Sequence, residues 1–285
     1  MKFIHNEILK KHTSFRIGGP ANYFASPRSF SEIQTALIFA REQKLPVSII
    51  GAGTNLLALD KGFNGLAIKL AGGLKKIKFR GNIVYAEAGA FLSQLISLTA
   101  KKGLSGLECL SGIPGTLGGA VVMNAGAWGK EIGRYVVRIK VFDRKGKEKI
   151  IQKKKMGFGY RKSILQKKNY IITEVVLKLR KGKKQLIKQK IKDYLDQRKA
   201  HQPLGIPNAG SIFKNPVGKF AGKLIEEAGG KGMRVGDAQV STKHANFIVN
   251  LGEAKARDVI KLMTQLQKLV KDKHKIKLEP ELKIM

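Results

Sequence analysis

Apolar positions along the chain switch between helical and strand spacing. Ser29 and Glu32 have the spacing of a capping box, and Ile33, Ala36, Leu37 and Ala40 then recur at helical intervals. This predicts a helix that ends before Pro46. Val47–Ile50 reads as a short apolar strand, and residues 64–90 alternate like strands, with turns at Gly72-Gly73 and Gly81-Asn82. A helix through Phe91, Leu95 and Leu98 is predicted to run to Lys102 and to be capped by Gly103. Val137, Ile139 and Val141 alternate into Asp143-Arg144-Lys145-Gly146, a hairpin signal, and Ile171, Thr173, Val175, Leu177 and Leu179 give another strand. A basic helix over residues 183–199 places Ile187, Ile191 and Leu195 on one face and stops before Pro203. Beyond it the pattern predicts a helix through Leu224, Ile225 and Ala228, a strand over 245–249, and a long helix from about Glu253 to Lys271. That last helix would bury Val259, Ile260, Met263, Leu266 and Val270.

One stretch breaks both periods. Eight of the 27 residues from Gly103 to Gly129 are glycine, and Glu108 is the only charged one. Either this backbone comes close to something flat, bulky and uncharged, or it is a tight run of turns between buried strands. Composition leaves both open. Gly51-Ala52-Gly53-Thr54-Asn55-Leu56 begins like a dinucleotide fingerprint, but Leu56 occupies the third glycine position and no Gly-Lys-Ser/Thr follows. What survives is a strand feeding a turn of backbone N–H groups, able to hold a pyrophosphate. Three other runs stand out. Ser14–Ala21 has paired glycines beside Arg16, Phe158–Ser163 holds Arg161 in an apolar and aromatic setting, and Pro207–Pro216 is a Pro/Gly loop.

Composition narrows the class. A length of 285 residues suggests two domains, with the boundary near residue 201 where a lysine-rich helix gives way to that loop. No apolar run is long enough to span a bilayer, and the N-terminus lacks the apolar stretch of a secretion signal. One cysteine, Cys109, fits a reducing compartment, and the five histidines show no metal-ligand spacing. A soluble cytoplasmic protein is expected. The net charge of +35 comes mostly from lysine, and residues 140–202 hold 22 Lys and Arg against five Asp and Glu. No aromatic residues interleave there as base-stacking surfaces require, so dedicated nucleic-acid binding is not expected. Small polyanionic ligands, and a basic binding protein without catalysis, stay open.

Six runs together settle more than any of these patterns. SFRIGGPA, IIGAGTNLL, GLECLSGIPGTLGGAVVMNAGAWG, FGYRKS, NAGSIFKNP and LEPEL, spread from Ser14 to Leu282, resemble the UDP-N-acetylenolpyruvoylglucosamine reductases of cell-wall precursor synthesis. The resemblance implies an α+β fold. Residues 1–200 would be an FAD-binding module of the vanillyl-alcohol-oxidase (PCMH) type with two subdomains, and residues 201–285 a smaller α+β substrate domain. It implies non-covalent FAD, NADPH as reductant, and reduction of the enolpyruvyl ether of UDP-N-acetylglucosamine to UDP-N-acetylmuramate. The chain is similar to the compact subtype without an extra tyrosine-bearing loop. A monomer is expected, acting on small molecules without nucleic-acid partners or membrane insertion. By position in these motifs, the cofactor would be held by Gly51, Ala52, Gly53, Thr54, Asn55, Leu56, Ser111, Gly112, Ile113, Pro114, Gly115, Gly118 and Gly119. Tyr160, Lys214, Asn215 and His244 would bind the substrate, while Arg161, Ser211 and Glu281 would be catalytic. Cys109 stands where the family usually has an aromatic or aliphatic residue; that departure leaves a covalent flavin thioether open, but a small buried hydrophobe is expected.

Overall fold

In the computed structural model of the chain, which describes residues 1–168 and 170–285, the first predicted helix starts at its predicted cap. Ser29 Oγ accepts the Glu32 N–H at 3.2 Å, and the Glu32 carboxylate accepts the N–H of Arg28 at 2.6 Å. Helix α1 (Phe30–Glu42) buries Ile33, Ala36, Leu37 and Ala40 in one cluster with Leu66, Ile68 and Leu70. Leu66 and Ile68 lie on the strand Phe63–Lys69, which pairs in parallel with Val47–Ile50, and Leu70 directly follows it.

The chain divides into two compact units. The first comprises Met1–Ile4, Tyr23–Ala52 and Gly65–Arg198. Its larger sheet is antiparallel throughout, in the order Glu148–Gln152, Val136–Phe142, Ile171–Lys178, Ile83–Glu87, Ile77–Arg80. The central strand is covered on both sides. Ile171 joins the α1 cluster, and Ile172, Val175 and Leu177 join a second core. That second core also takes in helix α2 (Leu92–Lys101), the short helix α3 (Leu117–Val122) and Cys109. The N-terminal N–H of α2 is satisfied by a remote group: Leu92 N donates to Gly115 O at 3.0 Å. The unit ends within helix α4 (Lys184–His201), at Arg198.

Three inward assignments differ from the apolar pattern. Phe91, placed on the apolar face of α2, is exposed and precedes the helix as its N-cap. Val137 is exposed and Val136 is buried, because the strand register shifts between Val136 and Arg138 and reverses the faces there. On α4, Leu195 is exposed, and the residue that continues the Ile187 and Ile191 stripe into the core is Arg198.

The second unit comprises His5–Asn22, Gly53–Asn64 and Lys199–Met285. Its antiparallel sheet runs Asn208–Ser211, Phe247–Asn250, Ala238–Val240, Arg234–Val235. Helices α5 (Ala221–Glu227) and α6 (Ala256–His274) share its core through Leu224, Ile225, Val259, Leu262, Leu266 and Val270. Helix α6 starts later than its apolar pattern suggests. Its first N–H groups, of Ala256 and Arg257, are taken by the Asp60 carboxylate at 2.8 and 3.1 Å. The chain ends tied down: Lys283–Ile284 pairs in parallel with Leu56–Leu57, and Met285 N donates to Leu57 O at 3.0 Å. Among the described residues no helix is long and apolar enough to cross a membrane.

Candidate functional site

The packing reading of the glycine-rich stretch holds for several of its glycines. A Cβ on Gly118 would lie 2.9 Å from the Ala88 Cβ, and one on Gly126 would lie 2.3 Å from Lys130 O. These glycines exist for close chain packing. Around Gly119 the nearest atom is Thr116 Oγ1 at 3.5 Å, and that hydroxyl caps α3 by accepting the Gly119 N–H. A Cβ on Gly51 would meet the same hydroxyl at 2.7 Å, so Gly51 and Thr116 stand against each other. Gly112 adopts φ +77°, and a Cβ there would strike the Arg198 side chain at 2.6 Å.

Ser111 makes this a candidate ligand surface. Its side chain is buried, and Oγ has no hydrogen-bond partner among the described residues. Leaving a buried hydroxyl unsatisfied costs about 1–3 kcal/mol. The Ser111 carbonyl is fixed by Arg198 Nε at 2.8 Å. A buried hydroxyl with an unused hydrogen-bonding capacity fits a polar edge of a flavin ring. Cys109 does not compete for that role. It is 1 % exposed, and burial pushes its thiol above the ordinary range, with the Lys130 charge opposing.

Arg161 sits at the tip of a two-residue hairpin. Gly159 and Lys162 exchange both backbone hydrogen bonds at 3.0 Å, leaving Tyr160 and Arg161 as the turn. Arg161 adopts φ +51° and donates from Nη2 to Gly126 O at 3.1 Å, with its guanidinium 5.1 Å from the Tyr160 ring centre. The half-exposed Tyr160 ring therefore presents one face beside a held cation. A second guanidinium, Arg198, is buried near it. Burial first, and the Arg161 charge second, lower its pKa to about 10. It packs 4.8 Å from the Trp128 ring centre, and Trp128 in turn lies 4.3 Å from Tyr194. Sequence reasoning missed Arg198. The available signal was a charged residue continuing the apolar stripe of α4.

In the second unit the candidate residues gather on one knot of backbone. Ser211 pairs with Phe247 across the sheet. Its successor Ile212 donates to Asn246 O at 2.9 Å and accepts from Glu281 N at 2.8 Å, and Phe213 bridges Pro280. Glu281 is thereby hydrogen-bonded to the residue that follows Ser211, in spite of lying four residues from the last residue, Met285. Asn55 adds a third hold, donating from Nδ2 to Glu281 O at 3.3 Å. Lys214 is ion-paired with Glu279, and Asn215 Oδ1 accepts Ala221 N at 3.0 Å, which starts α5. His244 accepts Asn246 N on Nδ1 at 3.1 Å and packs edge-on against Phe247. Burial is the main cause lowering its pKa below 6.5. Asn246, which sequence reasoning also missed, clasps both backbone groups of Phe213 with its side chain, at 3.0 and 2.8 Å.

Comparison with known proteins agrees with the motifs. Residues 202–285 match the family model "UDP-N-acetylenolpyruvoylglucosamine reductase, C-terminal domain", and residues 21–151 match "FAD binding domain". The chain is 45% identical over 284 residues to the UDP-N-acetylenolpyruvoylglucosamine reductase of Caldanaerobacter subterraneus subsp. tengcongensis, covering 100% of this chain and 94% of that one. It is likewise 45% identical over 280 residues to that of Desulforamulus reducens, covering 98% and 92%. The crystal structure of the UDP-N-acetylenolpyruvylglucosamine reductase from Thermus caldophilus superposes with a TM-score of 0.85 at 38% identity, covering 99% of this chain and 98% of that one.

Proposed function

The chain belongs to the UDP-N-acetylenolpyruvoylglucosamine reductase family, oxidoreductases built on an FAD-binding domain, and from that premise we propose that it reduces the enolpyruvyl ether of UDP-N-acetylglucosamine to UDP-N-acetylmuramate with NADPH. In this assignment residues 1–200 carry the cofactor and residues 201–285 the substrate. FAD, bound non-covalently, supplies the hydride relay from NADPH to C3 of the enolpyruvyl group. Ser111 Oγ, the Gly51–Leu56 turn and Gly112 to Gly119 are the groups that hold it.

The remaining chemistry is done by side chains of the protein. Negative charge develops at C2 and spreads into the attached carboxylate. Arg161 takes that carboxylate in bidentate fashion, its guanidinium already oriented by Gly126 O. Charge-assisted contacts that strengthen as the charge develops lower the barrier rather than merely tightening binding. Ser211 Oγ gives its proton to C2. A hydroxyl is a weak acid, and a carbanionic carbon is basic enough to take its proton. Glu281 polarises the enol from a position two residues before the paired strand Lys283–Ile284. Tyr160, Lys214, Asn215 and His244 engage the sugar and diphosphate, with Lys214 exchanging Glu279 for phosphate. The protein works as a monomer in the cytoplasm.

The observation that carries this reading is the Arg161 hairpin, a fixed cation with a second guanidinium beside it, in a chain that matches the family from end to end. The test is anaerobic. NADPH should bleach the yellow holoenzyme, and the enolpyruvyl nucleotide should restore the colour. A protein that bleaches but stays colourless with that nucleotide has a different substrate.

A further inference from the structure

Asn124 lies in the glycine-rich stretch, in a left-handed conformation with φ +45°, and is fully buried. Glycine is the residue that this backbone would favour, and asparagine is among the few others that tolerate it. Its side chain explains the choice. Nδ2 donates to Gly159 O at 2.9 Å and to the Glu131 carboxylate at 2.7 Å, and Oδ1 accepts Gly133 N at 3.0 Å. Gly133 has to be glycine for this to fit, since a Cβ there would lie 2.6 Å from Asn124 Oδ1.

Gly159 is the first residue of the hairpin that carries Arg161, and Gly126, two residues beyond Asn124, accepts from the Arg161 guanidinium. The segment 124–126 therefore grips the same hairpin twice, at its root through Gly159 and at its charged end through Arg161. We infer that Asn124 is a positioning residue for Arg161, setting where the guanidinium meets the substrate carboxylate. This rests on the role given to Arg161 above. A displacement of about 1 Å at a reacting group can cost on the order of a hundredfold in rate, and a hairpin released at its root has that freedom.

Two variants test it in the holoenzyme. Asn124→Asp keeps the shape but turns both donors into acceptors, facing the Gly159 carbonyl and the Glu131 carboxylate. Asn124→Gly keeps the left-handed backbone and removes the grip. Each is compared with Arg161→Gln and with the corresponding double variant by stopped flow, and each is assayed for bound FAD. Bleaching by NADPH should stay within about threefold of the parent, and recolouring by the enolpyruvyl nucleotide should fall by roughly ten- to a hundredfold. In the Arg161→Gln background, the same substitution should cost less than about threefold more, since the group that it positions is gone. Recolouring at the parental rate overturns the inference. So does a full multiplicative loss in the double variant, or a loss of FAD and of both half-reactions together, or failure of both variants to fold, each of which makes Asn124 a general structural residue. If the parent itself does not recolour with this nucleotide, the functional assignment falls and takes this inference with it. A parent that recolours beside an unaffected Asn124→Asp sinks the Asn124 role alone.

Discussion

Ser211 separates the proposed half-reactions. Reduction by NADPH needs no proton at C2, so Ser211→Ala should bind FAD and bleach at a near-normal rate. Recolouring should fall by about a hundred- to ten-thousandfold, the range of a positioned general acid, and Ser211→Cys should recover part of it. Stopped-flow recolouring of Ser211→Ala at the parental rate would remove the serine from the mechanism. Arg198 is tested differently, because its reach is to the Ser111 carbonyl. Arg198→Met leaves that buried acceptor without its partner, which should cost about 1–3 kcal/mol of thermal stability and weaken FAD retention in gel filtration. An unchanged melting point with full FAD content would show the contact to be dispensable. At this scale the sequence revealed residues with motif company, and hid those whose task is to hold another segment. Arg161, Ser211 and Glu281 stand in runs that resemble a family. Asn124, Arg198 and Asn246 act across separations of 35, 87 and 33 residues, and nothing in their local sequence marks those partners.

Helices and strands were legible where a local cause sets them. The Ser29 cap, the alternation of Ile139 and Val141, and the apolar face of α6 all reappear as predicted. Two of the misplaced faces have non-local causes: a register shift at Val136, and an arginine that the α4 stripe carries inward. The strand at Phe247–Asn250 begins later than its apolar run because residues 241–246 fold into a turn. There Ser241 Oγ accepts the N–H groups of Lys243 and His244, and His244 accepts that of Asn246. This turn predicts an acid response. Burial lowers the His244 pKa below 6.5, so the unfolded chain binds a proton there before the folded one does. Stability is then lost as pH falls through 6.5 towards the folded value, and is fully present above it. His244→Gln should flatten that part of the curve, with the melting points at about pH 7.5 and pH 5.5 drawing together. An acid slope equal to the parent's would show that other groups set it.

Across the whole molecule, chain order and spatial grouping differ. Residues 5–22 and 53–64 belong with 199–285, through contacts such as Ser14 Oγ to Asn208 O at 2.7 Å and Asn250 Nδ2 to Phe15 O at 3.0 Å. A composition shift near residue 201 marks where one kind of sequence gives way to another, but pairings about 200 residues apart leave no such trace. Charge, in contrast, is legible at this scale without any structure. NADPH and a nucleotide sugar are polyanions, and a chain of net charge +35 draws them from a distance if its lysines act together. The Debye length falls from about 30 Å at 0.01 M salt to about 8 Å at 0.15 M, so the association rate of NADPH, read from the concentration dependence of bleaching, should drop steeply over that range. The bleaching rate at saturating NADPH should not change, since contacts within the site are far shorter than either length. Reversing the exposed Lys153, Lys154 and Lys155 to glutamate should lower the association rate at low salt and flatten its salt dependence, leaving the saturated rate alone. Association that is equally fast at both salt concentrations would make the lysines an ordinary solvated surface with no part in capturing substrate.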